Sequence, residues 1–513
     1  MRRRDLNRAA LWLALGAWAA PPAARAQAAP RWAANPFSLG VASGQPRPDS
    51  VVLWTRLVPE FEDESARSAR PACAVRYEIY SDAALRQPVA QGEVSTDAQR
   101  AHSVHVHARG LAPQRDYWYR FSCGNAVSPV GHTRTAPSAD ADVARLRFAL
   151  ASCQHYEQGF YAAHREIAQR ELDFVLFVGD YIYEGSNPSA AVRLHGAPVP
   201  HTLAEYRARH ALYKRDADLQ AAHAAHPWIL TWDDHEVVND YADDRGPGWN
   251  EPARFLQRRA AAYRAYFEHM PLALPPQGAS MRIHDRFAWG RLAELWTLDC
   301  RQYRSHHACP DPENDAGRIV TTCAELADPA RSMLGSAQEA WLAQGLAAST
   351  RRWKLLGQST QISSTGSNTP DGRSIWTDGW DGYPLARQRL LQGVLDAGVR
   401  DVLTFGGDVH RHVAADLRPL PNDPASPVAA SEFIGGSISS RGAELASMQR
   451  MRRHNPDIVH ARGDERGWAL IEVTPEAARC EFRATPHPAR ADAQFGTQAR
   501  FAVEAGRAGV QAA

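Results

Sequence analysis

From Asn35 to Thr135 the apolar residues fall in short runs that alternate with polar ones. Ser50–Thr55, Ala74–Tyr80, Ser103–Ala108 and Tyr117–Phe121 each read as a strand, with turn residues between and no 3.6-residue period. Strands at that spacing predict a small β-sandwich. The sequence Thr135 to Val143 (TAPSADADV) is a linker, and beyond it the period changes. Leu146–Ser152 and Asp173–Val178 are continuous apolar runs, as expected of strands buried on both faces. Between them Gly159–Arg170 has a helical period, so the unit is strand-helix-strand and its strands are parallel.

Further strands are predicted at Trp228–Trp232, Glu294–Leu298, Trp353–Leu356 and Val402–Phe405. Helices are predicted at Pro252–Phe267, Ala337–Ala348 and Leu385–Ala397, and a closing hairpin at Gly467–Arg483. The fold class is therefore α+β. A fibronectin- or Ig-like β-sandwich at 27–137 precedes a layered α/β domain at 145–490, with mixed sheets flanked by helices, and a tail at 491–513. The tail is rich in Ala, Arg and Gln and reads as a frayed helix or a lid. Leu111-Ala112-Pro113 followed by Tyr117 suggests the aromatic corner of fibronectin-type domains. His102, His105 and His107 are expected to face solvent at a domain edge.

The N-terminus is an address. Met1-Arg2-Arg3-Arg4-Asp5-Leu6 is charged, Leu11 to Ala20 is apolar, and Ala24-Arg25-Ala26 is a cleavage site, so 1–26 reads as a signal peptide. Arg3-Arg4 before Asp5-Leu6 resembles a twin-arginine signal. The expected location is thus periplasmic or secreted, with the twin-arginine translocase as partner during export. Past that segment no apolar run reaches the roughly 18 residues of a membrane span. A net charge of +1 over 513 residues excludes a strongly basic nucleic-acid binder, and no nucleic-acid-binding surface is evident. Seven cysteines suit an oxidising compartment but leave one over. A bridge among Cys300, Cys309 and Cys323 is expected, and Cys73 with Cys123 is a possible second pair.

The chemistry follows the buried strands. Cys153-Gln154 follows the first, Gly179-Asp180-Tyr181-Ile182-Tyr183-Glu184 the second, Asp233-Asp234-His235-Glu236 the third, and Gly406-Gly407-Asp408-Val409-His410-Arg411-His412 the last. Open α/β sheets bind ligands outside the carboxyl ends of their strands. Carboxylates gathered in one pocket repel one another unless cations sit between them, so this set predicts a polynuclear metal site. Ca²⁺ takes oxygen ligands, so the thiol and imidazole call for a transition metal beside it.

These motifs resemble the calcineurin-type metallophosphoesterases, with informative departures. Cys153 stands where the usual first Asp would be. Tyr183 lies three residues after Asp180, and Asp234-His235-Glu236 and Asp408-Val409-His410 replace Asn-His-Glu and His-x-His. The departures resemble one branch, the PhoD family of alkaline phosphatases and phosphodiesterases, which includes phospholipase-D-type members. Asn35 to Gly44, Leu53-Trp54-Thr55-Arg56, Leu298 to Arg304 and Trp380 to Pro384 carry the same resemblance.

The resemblance implies one Fe³⁺ and one or more Ca²⁺. It gives Cys153, Asp180 and Tyr183 to the iron, with Asp234, Asp408 and His410 completing the metal site. Asp233 and Asn239 are further candidates, and Gln358 is the candidate for the family's lone central His. The expected function is exported, metal-dependent hydrolysis of phosphate esters, an alkaline phosphatase with phosphodiesterase capacity. A hydroxide held by the ions would attack phosphorus in line. His235 is expected to face the phosphate and Arg301 to add a guanidinium contact, both as catalytic residues. The competing readings are a phospholipase D-like phosphodiesterase and a catalytically inactive binding protein.

Overall fold

The computed structural model describes residues 30–60 and 72–513. The signal peptide therefore lies outside the described residues. Two large sheets stack face to face between helices. One has ten strands and includes Leu146–Ala151, Phe174–Val178 and Pro227–Thr231 as parallel neighbours. The other has seven, with Ala293–Thr297, Trp353–Gly357, Val402–Gly406 and Ala430–Gly435 parallel and adjacent.

The two-residue alternation of a strand explains the layering. Phe148, Leu150, Phe174, Leu176 and Val178 face the second sheet and meet Leu355, Leu403, Phe405 and Phe433. Ala149, Ala151, Val175 and Phe177 point the other way, onto the helical layer that includes Leu203–Lys214 and Pro252–His269. The helices Ser336–Ala348 and Pro384–Asp396 cover the far side of the seven-stranded sheet. Strands buried on both faces leave no polar side, which is why their sequences are uninterrupted apolar runs.

Three features differ from the sequence reading. The N-terminal strands do not close a sandwich of their own. Val41–Gly44 pairs in parallel with Pro227–Thr231, so Val41–Gly44, Ser50–Arg56 and Ser103–Arg109 extend the ten-stranded sheet. Only the opposing five-stranded sheet belongs to this region alone. Alternation reports burial and not which chain segment lies alongside, so the shared edge left no mark in the sequence. The aromatic corner is present, with the Ala112 N–H donating to the Tyr117 hydroxyl at 2.8 Å.

The tail is neither a helix nor a lid. Gly496–Glu504 is a strand paired antiparallel with Ala477–Pro486. His105 does not face solvent: its ring stacks on Phe267 at 4.2 Å and bonds the carbonyls of Phe267 and Met270. Cys309 and Cys323 form the expected local disulfide, whereas Cys73 and Cys123 are buried and not bridged. Among the described residues no helix is long and apolar enough to cross a membrane.

Candidate metal centre

The carboxyl ends of the central strands deliver the candidate residues to one pocket, through strained backbone. Cys153, Asp180, Asp408 and His410 all have left-handed φ, between 50° and 63°. L-residues pay for that conformation, and where several occur together the surrounding structure is holding side chains for a purpose. Gly179 lets two of the loops meet, because a Cβ there would lie 2.6 Å from both the Asp233 Cβ and its backbone nitrogen.

Three donor groups adjoin in sequence through shared residues. Ligand atoms of Cys153, Asp180 and His410 lie within 4.8 Å of one another, as do those of Asp180, Asp234 and His235, and those of Asp234, Asp240 and Asp378. Asp180 thus belongs to two groups and Asp234 to two. The Tyr183 hydroxyl joins the first group, 2.8 Å from Asp180 Oδ2 and 3.0 Å from His410 Nε2. His410 Nδ1 lies 2.8 Å from the Arg441 carbonyl, which requires the proton on Nδ1 and leaves Nε2 as a lone-pair donor toward the site. Burial and the Asp180 charge push the Cys153 thiol well above its usual range, and the same two causes raise the Tyr183 phenol. Burial also raises the Asp180 carboxyl well above the carboxylate range.

His235 Nδ1 donates to Glu184 Oε2 at 2.7 Å, and its ring lies 4.1 Å from that of Tyr183. Burial opposes its charge, but Glu184, Asp180 and Asp234 carry its pKa well above the ordinary histidine value. Burial would likewise raise Glu184. The His235 charge and hydrogen bond and the Asn239 N–H bring it down to about 2. The pair is a partly buried histidine–carboxylate dyad in which each partner favours the charge of the other.

Asp408 enters the pocket from the second sheet and accepts a hydrogen bond from the Thr360 hydroxyl at 2.5 Å, outside the three donor groups. Burial, then Asp233 and other neighbours, raise its carboxyl to about 8.

Arg301 is not placed as expected. Its guanidinium is wholly committed to carboxylates: Nε to Asp233 at 2.5 Å, Nη1 and Nη2 to Asp378 at 2.8 and 3.0 Å, with Asp234 3.0 Å from Nη2. Arg304 and His307 also bond Asp378. This placement orients Asp234 and turns all three guanidinium nitrogens toward carboxylates. Gln358 is also turned away from the pocket: its Oε1 lies 3.1 Å from the Thr360 nitrogen and 3.3 Å from Trp380 Nε1. Asp233 serves Arg301, and Asn239 contributes its backbone N–H to Glu184.

Sequence reasoning missed Asp240, which completes the third donor group, and four supporting residues. Glu236 Oε1 accepts the Tyr181 N–H at 2.7 Å, and its Oε2 accepts those of Asp180 and Asp233 at 3.2 and 3.0 Å, tying two strand-end loops together. Glu184 and Glu236 sit inside the motifs already singled out, and their acidity beside a predicted ligand was the available signal. Ser440 and Asp378 gave none, since each reaches the site from a distant loop.

Comparison with known proteins identifies the class. Residues 148–482 match the family described as PhoD-like phosphatase, and residues 22–137 match the PhoD-like phosphatase N-terminal domain. The chain belongs to the PhoD-like phosphatase family. It is 39% identical over 494 residues to alkaline phosphatase D of Bacillus subtilis (strain 168), covering 94% of this chain and 83% of that protein. A solved structure titled "Structure of PhoD" superimposes with a TM-score of 0.89 at 38% identity, covering 94% of this chain and 93% of that one. The protein is therefore a phosphoric ester hydrolase of mixed α+β fold whose family implies metal dependence.

Proposed function

We propose that the protein is an exported alkaline phosphatase with phosphodiesterase capacity, loaded with one Fe³⁺ and one or more Ca²⁺. The observation that carries the reading is the junction of a thiol, phenol and imidazole group with an all-carboxylate group through Asp180 and Asp234. The residues present fit such ions. Asp180 Oδ1 is buried with no hydrogen-bond partner, as expected of an oxygen reserved for a cation. Cys153, Asp180, Tyr183 and His410 suit iron, and the oxygen donors Asp234 and Asp240 suit calcium, with Asp378, tied to Arg301, Arg304 and His307, positioning them. Asp408 faces the same pocket from the second sheet. The charged n-region, apolar stretch and cleavage site at 1–26 support export by the twin-arginine route.

The bound cations supply Lewis acidity, activating water and offsetting phosphate charge. The chain's own residues do the rest. His235, held by Glu184 with the proton on Nδ1, presents Nε2 to the pocket and delivers a proton to the leaving oxygen. Glu236 fixes the loops carrying Asp180 and Asp233 relative to one another. Arg301 holds Asp234 in place, acting on the substrate only through that carboxylate. Metal analysis of untreated protein, combined with turnover of mono- and diester substrates, tests this. EGTA should abolish turnover, Ca²⁺ should restore it, and iron should stay bound throughout. Full activity in EGTA removes calcium from the site.

A further inference from the structure

Arg466 is fully buried at the start of the strand Glu465–Val473, and all of its partners are neutral. Nη1 donates to Ser437 Oγ at 2.7 Å and to the Ser440 carbonyl, Nη2 donates to the Gly463 carbonyl, and Nε has no partner. The neighbouring Asp464 is taken by Arg462, and among the described residues no carboxylate pairs with Arg466. Burying a cation without a counter-charge costs several kcal/mol, so a fold that retains one has a use for it.

The fold also clears space for the guanidinium. A Cβ at Gly442 would lie 2.6 Å from Arg466 Nη2 and 2.1 Å from the His410 carbonyl oxygen. Ser440, whose carbonyl Arg466 holds, has its hydroxyl 2.8 Å from the Tyr183 oxygen and 2.8 Å from the Cys153 carbonyl. Burial lowers Arg466 to about 10, so it remains a cation at neutral pH, and a thiolate at Cys153 would bear on it more strongly than Asp464, Tyr183 or Glu465.

We propose that Arg466 is the buried counter-charge of the Cys153–Tyr183 pair, a positioning residue that offsets their thiolate and phenolate charge when they ligate iron. It rests on the iron reading above. A fixed positive charge close to anionic ligands draws electron density from the metal, which favours the reduced ion. It also lowers the ligand orbitals more than those of the ferric ion. Arg466 should therefore raise the Fe³⁺/Fe²⁺ potential and move the ligand-to-metal charge-transfer band to shorter wavelength.

The test uses intact holoenzyme and three variants. Arg466→Gln removes the charge but keeps a donor, and Arg466→Lys keeps the charge. Ser437→Asp leaves the guanidinium and gives it a carboxylate in place of the hydroxyl it now bonds. Iron content, the visible band and the spectroelectrochemical midpoint are read for each. Arg466→Gln and Ser437→Asp should shift the band to longer wavelength and lower the midpoint, while Arg466→Lys stays near wild type. If the glutamine variant does not fold, Ser437→Asp decides. A coloured wild type whose band and midpoint are unchanged in the charge-neutralised variants overturns this proposal alone. A lysine variant that shifts as far as the glutamine one overturns it too, since hydrogen bonding and not charge would then be in control. A wild type without iron overturns both this proposal and the iron reading.

Discussion

Where Leu146–Ala151, Phe174–Val178 and Val402–Gly406 end, the donors Cys153, Asp180, Tyr183 and His410 have no cationic side chain bonded to them among the described residues. One Asp180 oxygen has no partner at all. Across the pocket, Asp233, Asp234 and Asp378 close around Arg301, and Asp378 also takes Arg304 and His307. The consequences for ionisation are opposite at Asp180 and Asp378. Burial raises Asp180 well above the carboxylate range, whereas Arg301 and Arg304 overcome the same burial at Asp378 and hold it well below. One half of the site is assembled by the protein's own cations. In the other, on the proposed reading, the charge is left for a metal ion to take up.

The largest effect expected from this contrast is that of Asp180→Ala. Asp180 is shared by two donor groups, so its loss should cost more than the roughly 10²–10⁴-fold that a general acid supplies and should lower iron content as well. Asp378→Asn, on the side the protein assembles itself, should cost only about 10–100-fold, as for groups that orient ligands. Equal losses and equal metal contents, measured by turnover and elemental analysis, would erase the distinction between the halves.

Next comes the dyad. His235→Ala should lower kcat by roughly 10²–10⁴-fold with metal content kept, because its proposed role is proton transfer. Glu184→Gln should cost about 10–100-fold, since it removes only the group that fixes the imidazole. Wild-type turnover in metal-replete His235→Ala would remove the histidine from the mechanism.

Arg301→Met tests the self-assembled half by stability. It leaves the buried carboxylates Asp233 and Asp234 without their cation and Asp378 with Arg304 and His307 alone, and removing one partner of a buried pair costs about 3–5 kcal/mol. Calorimetry of the metal-free variant should show that loss, and saturating Ca²⁺ should recover part of it. An unchanged thermal midpoint would mean the carboxylates are not held by Arg301.

The two halves also differed in how far the sequence exposed them. The metal-dependent half was legible because Cys153, Asp180, Tyr183 and His410 each fall within a few residues of a buried strand's end, and such strands are plain in the apolar pattern. The self-assembled half was legible only in part: Asp233, Asp234, Arg301 and Arg304 lie in recognisable motifs, but Asp378 comes from a loop beyond Trp376, and nothing local shows that Arg301, Arg304 and His307 converge on it. Arg301 was found but given the wrong neighbour: sequence shows a cation near acidic residues and not which of them it faces. The same limit hid the shared sheet at the N-terminus and the tail strand Gly496–Glu504, since pairing partners far apart in the chain leave no local signature.

The smallest expected effect is a pH dependence of the metal's own stabilising contribution. Asp408 and Asp240 are each raised to about 8 from an ordinary 3.8, first by burial and then by neighbouring carboxylates that include Asp378 and Asp234. Between those two values the metal-free folded chain binds protons that the unfolded chain has released. Its stability therefore falls as pH rises through that window. A cation in the pocket replaces those protons and removes the fall, so the rise in thermal midpoint on adding Ca²⁺ should be small at pH 5.5 and widen steadily toward pH 8. Asp408→Asn has no proton to lose and should flatten that trend without abolishing it, because Asp240 still titrates. Thermal scans with and without Ca²⁺ across the range measure it directly. A calcium-induced shift of constant size from pH 5.5 to 8 would show that these carboxyls are already ionised in the metal-free protein, and the contrast between the two halves would then rest on geometry alone.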